Sequence, residues 1–240
     1  MQGYLLKIDW SVMFSWKEFW GWAEVWALFI PLSVFFIKRK QIPPLFKPVI
    51  YYLFIALVLT ALSDFSWRMK FRLNLPPWAS NNIPLYHLNF IFQLLMFAWF
   101  FNRLNEPFLR KVKKALPYVF MAFVLVNFTI IRPIDSFIFN YSSELNAAEA
   151  AILLFYCLQH YVYLAQAEQV SYPYGRAVNW IIAGLTMYVG VNFFIFLSYS
   201  TLIKFSKDFS IDIWDVHNYL WILLCCLIAM GLYESAKSRS

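Results

Sequence analysis

Apolar residues gather in seven long runs along the chain. They cover roughly Glu18 to Ile37, Pro48 to Trp67, Asn82 to Phe101, Ala115 to Ile131, Asn146 to Ala165, Ala177 to Leu197 and Asp215 to Tyr233. Most lie near the ~20 residues that a helix needs to cross a ~30 Å hydrocarbon layer. The pattern predicts an all-α polytopic integral membrane protein, a seven-transmembrane-helix bundle forming one domain over residues 1–240. No connection holds a glycine-rich or charged linker long enough to separate domains. Pro43, Pro44, Pro76, Pro77, Pro107, Pro133 and Pro173 fall between runs, where proline ends a helix without breaking its ladder. Pro31 falls inside the first run and predicts a kink there.

Polar positions within the runs are also periodic. At 100° per residue, Asn82, Tyr86, Asn89 and Gln93 fall within roughly 60° of one another and form a stripe on the third helix. Asn81 or Asn82 suits the cap of that helix, with Pro84 in its first turn. The fifth run repeats the pattern, with Asn146, Glu149, Tyr156, His160 and Tyr163 on one face. A carboxylate inside a crossing costs a few kcal/mol on insertion scales, so Glu149 is expected to face protein or water. Two roles fit it at this stage, a working group of an internal site or an interfacial acid snorkelling to water. Asp64 closes the second run, with Arg68 one turn later. Glu24 lies in the outer third of the first, Asp215, His217 and Asn218 open the seventh, and Asn192 sits mid-run in the sixth.

Such stripes have two structural meanings. Amides join neighbouring helices at about 0.6 to 2 kcal/mol per hydrogen bond, or they line a water-filled cavity. On the second reading the candidate ligand-binding residues are Asn82, Tyr86, Asn89, Gln93, Glu149, Asp64, Asp215 and His217.

Composition agrees with the run pattern. The chain is 62% hydrophobic, 22% aromatic and 14% charged, too apolar for a domain that must cover itself with polar groups. Its formal charge of +7 sits in connections and not on a soluble face, so nucleic acid is not an expected partner. Twelve of the twenty basic residues fall on one set of connections: Lys38, Arg39, Lys40, Lys47, Arg103, Arg110, Lys111, Lys113, Lys114, Arg176, Lys237 and Arg239. The positive-inside bias therefore predicts an outside N terminus and a cytoplasmic C terminus. The opening MQGYLLKIDWSVMFSW lacks the plan of a cleavable signal and suits an interfacial segment. Cys157, Cys225 and Cys226 all lie in apolar runs and are expected as buried thiols.

Several chemistries fail on the residues. A retinal Schiff base needs a lysine on the last crossing, and Asp215 to Tyr233 has none. No GxSxG elbow, Walker loop or HExxH helix occurs. The adiponectin-receptor and alkaline-ceramidase group carries paired histidines on its last crossing, where this chain has His217 alone. His87, His217, Asp64, Glu149 and Asp215 remain permissible metal ligands without diagnostic spacing.

The NNIPLYH stretch, Asn81 to His87, resembles the helix start of small uncharacterised bacterial seven-helix membrane proteins, some of them associated with signalling systems. The resemblance implies a sensor in a bacterial cytoplasmic (inner) membrane; together with the polar stripes the expectation is a receptor-like or signal-input module with an outward-facing polar cavity for a small molecule or lipid. The tail after Tyr233 is short, so a separate cytoplasmic partner is expected. A membrane enzyme acting on a lipid or amphiphile is the alternative, and a transporter or structural subunit is the third.

Overall fold

Proline and the ends of the apolar runs determine where the helices start and stop. The computed structural model describes residues 16–69, 76, 81–131, 135–166, 174–205 and 207–238. The elements are α1 (Trp16–Gly21), α2 (Ala23–Trp26), α3 (Phe29–Lys38), α4 (Lys47–Met69), α5 (Ile83–Arg103), α6 (Arg110–Val126), α7 (Asp135–Phe139), α8 (Ser143–Gln166), α9 (Gly175–Phe205) and α10 (Lys207–Lys237). A 3₁₀ turn, Pro44–Phe46, precedes α4, and a π segment, Asn127–Ile131, continues α6. Among the described residues there is no strand. The interfacial segment expected over residues 1–16 lies almost wholly outside the described residues.

Among the described residues six helices are long and apolar enough to cross a membrane: Pro44–Met69, Ile83–Arg103, Arg110–Ile130, Ser143–Gln166, Gly175–Ser198 and Ile213–Lys237. The chain is a polytopic helical membrane protein. The first apolar run is not one continuous helix but three short ones. Pro31 has no N–H for Ala27 O, which instead accepts from Ile30 N at 3.1 Å. The ladder is interrupted at Ala27 and Leu28, and Pro31 falls in the first turn of α3, where proline is tolerated. A second interruption falls at Trp22, whose backbone sits at φ −97°, ψ 10°.

The helices α3, α4, α5, α8, α9 and α10 form a ring in which each packs on the next. The α6 helix packs on α5 and α8 and turns Tyr118, Val119 and Leu125 outward. The α5 and α8 helices run parallel: His87 meets Ser142 and Phe101 stacks on Tyr156, and both pairs are 55 residues apart in sequence. That constant offset puts Gln93 within one residue, or ~1.5 Å, of the level of Glu149. The closest approach of α9 and α10 depends on Gly231. A Cβ there would lie 2.6 Å from Ile181 Cγ1 and 2.7 Å from Ala177 O.

Two further prolines leave carbonyls that side chains answer. Pro117 cannot donate to Lys113 O, and the Tyr156 hydroxyl donates to that oxygen at 2.6 Å. Pro48 cannot donate to Pro44 O, which accepts from Arg103 Nη1 at 2.6 Å. Each replacement bond joins one segment to another, so the proline positions help fix the bundle.

Candidate functional site

The start of α5 is secured by side chains of the Asn81 to His87 stretch. Asn81 Oδ1 accepts from Ile83 N at 3.1 Å, and Asn81 Nδ2 donates to Ile138 O at 2.6 Å. Asn82 occupies the cap position without a side-chain bond and is half-buried. His87 is fully buried: its Nε2 accepts from Ser142 N at 3.1 Å, which leaves Nδ1–H to donate to Phe137 O at 3.2 Å. Both ring nitrogens are engaged, so His87 ties α5 to the α7–α8 connection and is not available as a metal ligand.

Deeper polar groups gather inside the ring at two levels near the Asn82 end. The first is built on His217, buried on α10. Asn192 Nδ2 donates to Tyr188 O at 2.8 Å, which orients the amide and points Oδ1 at His217 Nδ1, 2.7 Å away. Nδ1 therefore carries a proton. Nε2 faces Glu24 Oε1 at 3.7 Å, too long for a direct hydrogen bond. Glu24 sits on α2, between the two interruptions of the first run, and its own carbonyl accepts from Trp221 Nε1 at 3.1 Å. The Tyr86 hydroxyl neighbours the Glu24 carboxylate and Ser63, and Asp64 lies within electrostatic reach of Glu24. Glu24, Thr60, Tyr86, Asn89, Phe90, Tyr188, His217 and Trp221 surround a space of about 10 Å³. That is room for about one water molecule.

The second level holds Gln93, Asn146 and Glu149, all buried. Both polar atoms of each amide, and Glu149 Oε1, lack a hydrogen-bond partner in the protein. Glu149 is within electrostatic reach of Tyr52 and Tyr188, whose rings flank Trp221 at 6.4 and 5.5 Å. At 2% exposure Glu149 does not snorkel to water, so that alternative falls.

The eight candidates therefore divide. Tyr86, Asn89 and His217 line one small space, with Asp64 close to its Glu24 wall. Gln93 and Glu149 share a deeper level. Asp215 accepts from Trp20 Nε1 at 2.9 Å and holds the first segment onto α10. Arg68, the expected neighbour of Asp64, lies over the Trp22 ring, 4.8 Å from its centroid, and stays within electrostatic reach of Asp64. The space around Glu24 and His217 is small, and among the described residues neither Gln93 nor Glu149 lines it. Among the described residues no three His, Cys, Asp or Glu side chains assemble as metal ligands.

A third polar group, at the Arg103 end, was not legible from the runs. Glu106, Lys113 and His160 are each 1% exposed. Glu106 Oε2 takes Lys113 Nζ at 3.1 Å, and Oε1 lies 2.5 Å from His160 Nδ1. His160 Nε2 faces Asn179 Oδ1 at 3.2 Å. Burial alone would raise the Glu106 pKa, but the His160 hydrogen bond and the Lys113 ammonium overrule it and hold the carboxyl below its ordinary value. The loop that aims Glu106 inward bends through left-handed backbone at Asn105 (φ 56°) and Leu109 (φ 51°). The sequence signals were His160, on the polar face of the fifth run, and Lys113, four residues before Pro117 and on the same helical face. The α8 face between Glu149 and His160 is closed by fully buried Leu153 and Tyr156.

Comparison with protein-family models, with curated proteins and with solved structures finds no match.

Proposed function

We propose that the protein is a seven-crossing, receptor-like signal-input module of the bacterial cytoplasmic membrane. Its N terminus is outside, its input site is the Glu24–His217–Asn192 centre, and its output goes to a separate cytoplasmic partner. The interrupted first run, α1 to α3, supplies the seventh crossing beside the six long helices. Orientation follows from the basic connections, where Arg39, Lys40, Lys47, Arg103, Arg110, Lys111, Lys114, Arg176 and Lys237 are exposed at the opposite end from Glu24. The same residues form the docking face, with the membrane's anionic lipids as a second contact.

The observation that carries this reading is the first segment itself. It brings Glu24 to the buried centre through an interrupted α2, then continues as α3 along α10 to Lys38 at the basic end. A change at the Glu24–His217 contact therefore moves an element that reaches both faces. Interrupted segments with a buried carboxylate are also where membrane proteins place ligand and ion sites. The apolar layer of Leu153 and Tyr156 between Glu149 and His160 argues against a continuous transport path. The resemblance of the Asn81 to His87 stretch to proteins associated with signalling adds support.

Spin labels at Lys40→Cys and Lys237→Cys, in a background with the three native cysteines replaced, test the proposal. The α3–α10 distance should differ between otherwise wild-type protein and Glu24→Gln or His217→Ala. Identical distance distributions in all three would remove the centre as an input site.

A further inference from the structure

The small space at the centre has an unusual lining. Four of its groups present acceptors: Glu24 Oε1 and Asn89 Oδ1, both buried and without a hydrogen-bond partner, the Nε2 of His217, and the hydroxyl oxygen of Thr60. The Thr60 hydroxyl already gives its proton to Ala56 O at 2.7 Å, so only its lone pairs remain. His217 Nε2 is an acceptor because Asn192 claims the proton on Nδ1. The Trp221 N–H is spent on Glu24 O. The Tyr86 hydroxyl is already engaged with Glu24 and Ser63, so Tyr188 is the lining residue whose hydroxyl can still donate.

Charge points the same way. Among the described residues no Lys or Arg lines the space, whereas Glu24 does, and Asp64 stands close enough to feel its charge. The charged and titratable groups around it come from every packed element: Glu24 from α2, Asp64 and Tyr52 from α4, Tyr86 from α5, Glu149 from α8, Tyr188 from α9 and His217 from α10. Arg68 stacks on Trp22 and also acts electrostatically on Asp64, so among the described residues the carboxylate of this pair without a nearby cation is Glu24. Asn89 is 7% exposed, so its unpaired oxygen has no route to bulk water that would satisfy it. A neutral water would bring two donors and suits Glu24 in its protonated form, but it leaves an ionised Glu24 carboxylate uncompensated. A small hard cation satisfies both the acceptors and the charge.

We propose that this space binds one dehydrated monovalent cation of sodium size, held by Glu24 and Asn89 with Thr60 and Tyr86 as neutral oxygen ligands. A bare sodium ion is smaller than a water molecule, so the volume of about 10 Å³ admits it. The position of Glu24 in an interrupted crossing is the setting in which transporters and related bundles hold Na⁺. The assignment rests on the input-site reading and deepens it by naming the ligand class.

The test uses full-length protein purified in sodium-free buffer. Sodium chloride is titrated against choline chloride at matched ionic strength and fixed pH, reading thermal stability and tryptophan fluorescence, since Trp221 lines the space. A saturable sodium-specific stabilisation is expected, weakened tenfold or more in Glu24→Gln and in Asn89→Ala. If Glu24→Gln does not fold, Asn89→Ala alone decides. Equal responses to sodium and choline overturn the assignment, as does wild-type affinity in both variants. Lithium should bind and larger cations should bind less. The labelled Lys40→Cys/Lys237→Cys protein separates the two proposals. Sodium binding with an unmoved α3–α10 distance keeps the cation site and overturns the receptor reading. A distance that responds to Glu24→Gln without any sodium binding does the reverse.

Discussion

His217 and Asn192 share a 2.7 Å hydrogen bond whose direction is fixed, because the Asn192 amide nitrogen is already donating to Tyr188 O. The tautomer of a buried histidine thus follows from a backbone carbonyl one helical turn away from its partner. Replacing Asn192 with alanine strands Nδ1–H in a buried site, at a cost of about 1 to 3 kcal/mol. Thermal melts should fall accordingly, and the ring nitrogen shifts of His217 in ¹⁵N NMR should change from the Nδ1–H pattern. An unchanged melt and unchanged shifts would show that Asn192 does not set the ring.

The Glu106–Lys113–His160 group predicts a pH dependence with a definite sign. Glu106 has a folded pKa below its ordinary 4.5, so its stabilisation is complete above that value and is lost as the pH falls through the folded pKa. Wild-type stability should therefore drop below about pH 4.5 more steeply than that of Glu106→Gln. At neutral pH Glu106→Gln should be less stable by about 3 to 5 kcal/mol, since it leaves Lys113 buried and unneutralised. Parallel pH profiles for the two proteins would contradict the ion-pair account.

At Gln93 the expectation runs the other way. Its amide atoms have no protein partner, so Gln93→Leu should be neutral or stabilising in a melt. Phe90 is buried against Phe196, with ring centroids 5.6 Å apart, so Phe90→Ala should cost about 3 to 5 kcal/mol. Strong destabilisation by Gln93→Leu would mean that the amide has a partner holding α5 in place.

Gly231 offers a test of helix packing alone. A methyl group there meets Ile181 and the Ala177 carbonyl, so Gly231→Ala should push α10 from α9 and destabilise by about 1 to 3 kcal/mol. Ile181→Ala removes the Cγ1 atom that the methyl meets, so in thermal melts Gly231→Ala should cost less in that background than in the wild type.

Topology is checked with Lys40→Cys and Asn140→Cys in the cysteine-replaced background, both positions being exposed. An impermeant thiol reagent added to intact cells should label residue 140 and spare residue 40. The opposite pattern would invert the orientation.

The apolar runs were enough to place the long helices, because crossing a bilayer imposes a length and a composition that the sequence cannot hide. The α5 stripe was legible for the same reason: Asn89 and Gln93 do turn inward. What the runs did not carry was depth and pairing. Asn89 lines the same space as Glu24 and His217, whereas Gln93, one turn further, shares the level of Glu149, and helical projection collapses that difference. Glu24 looked like one of several acids near an end until Pro31 was seen to interrupt the ladder at Ala27. Glu106 gave no periodic signal, since it reaches the interior from a loop bent at Asn105 and Leu109.

The pairing of Glu106 with Lys113 also bears on how the chain enters the bilayer. The two residues are seven apart and flank the turn between α5 and α6. Their charges can cancel as soon as that hairpin leaves the insertion machinery, before α8 has been synthesised. His160, arriving later, then docks on a site that is already neutral, and the Tyr156 hydroxyl meets a carbonyl that Pro117 has kept vacant for it. The order of synthesis and the order of neutralisation coincide, so a buried lysine need never be presented to lipid alone.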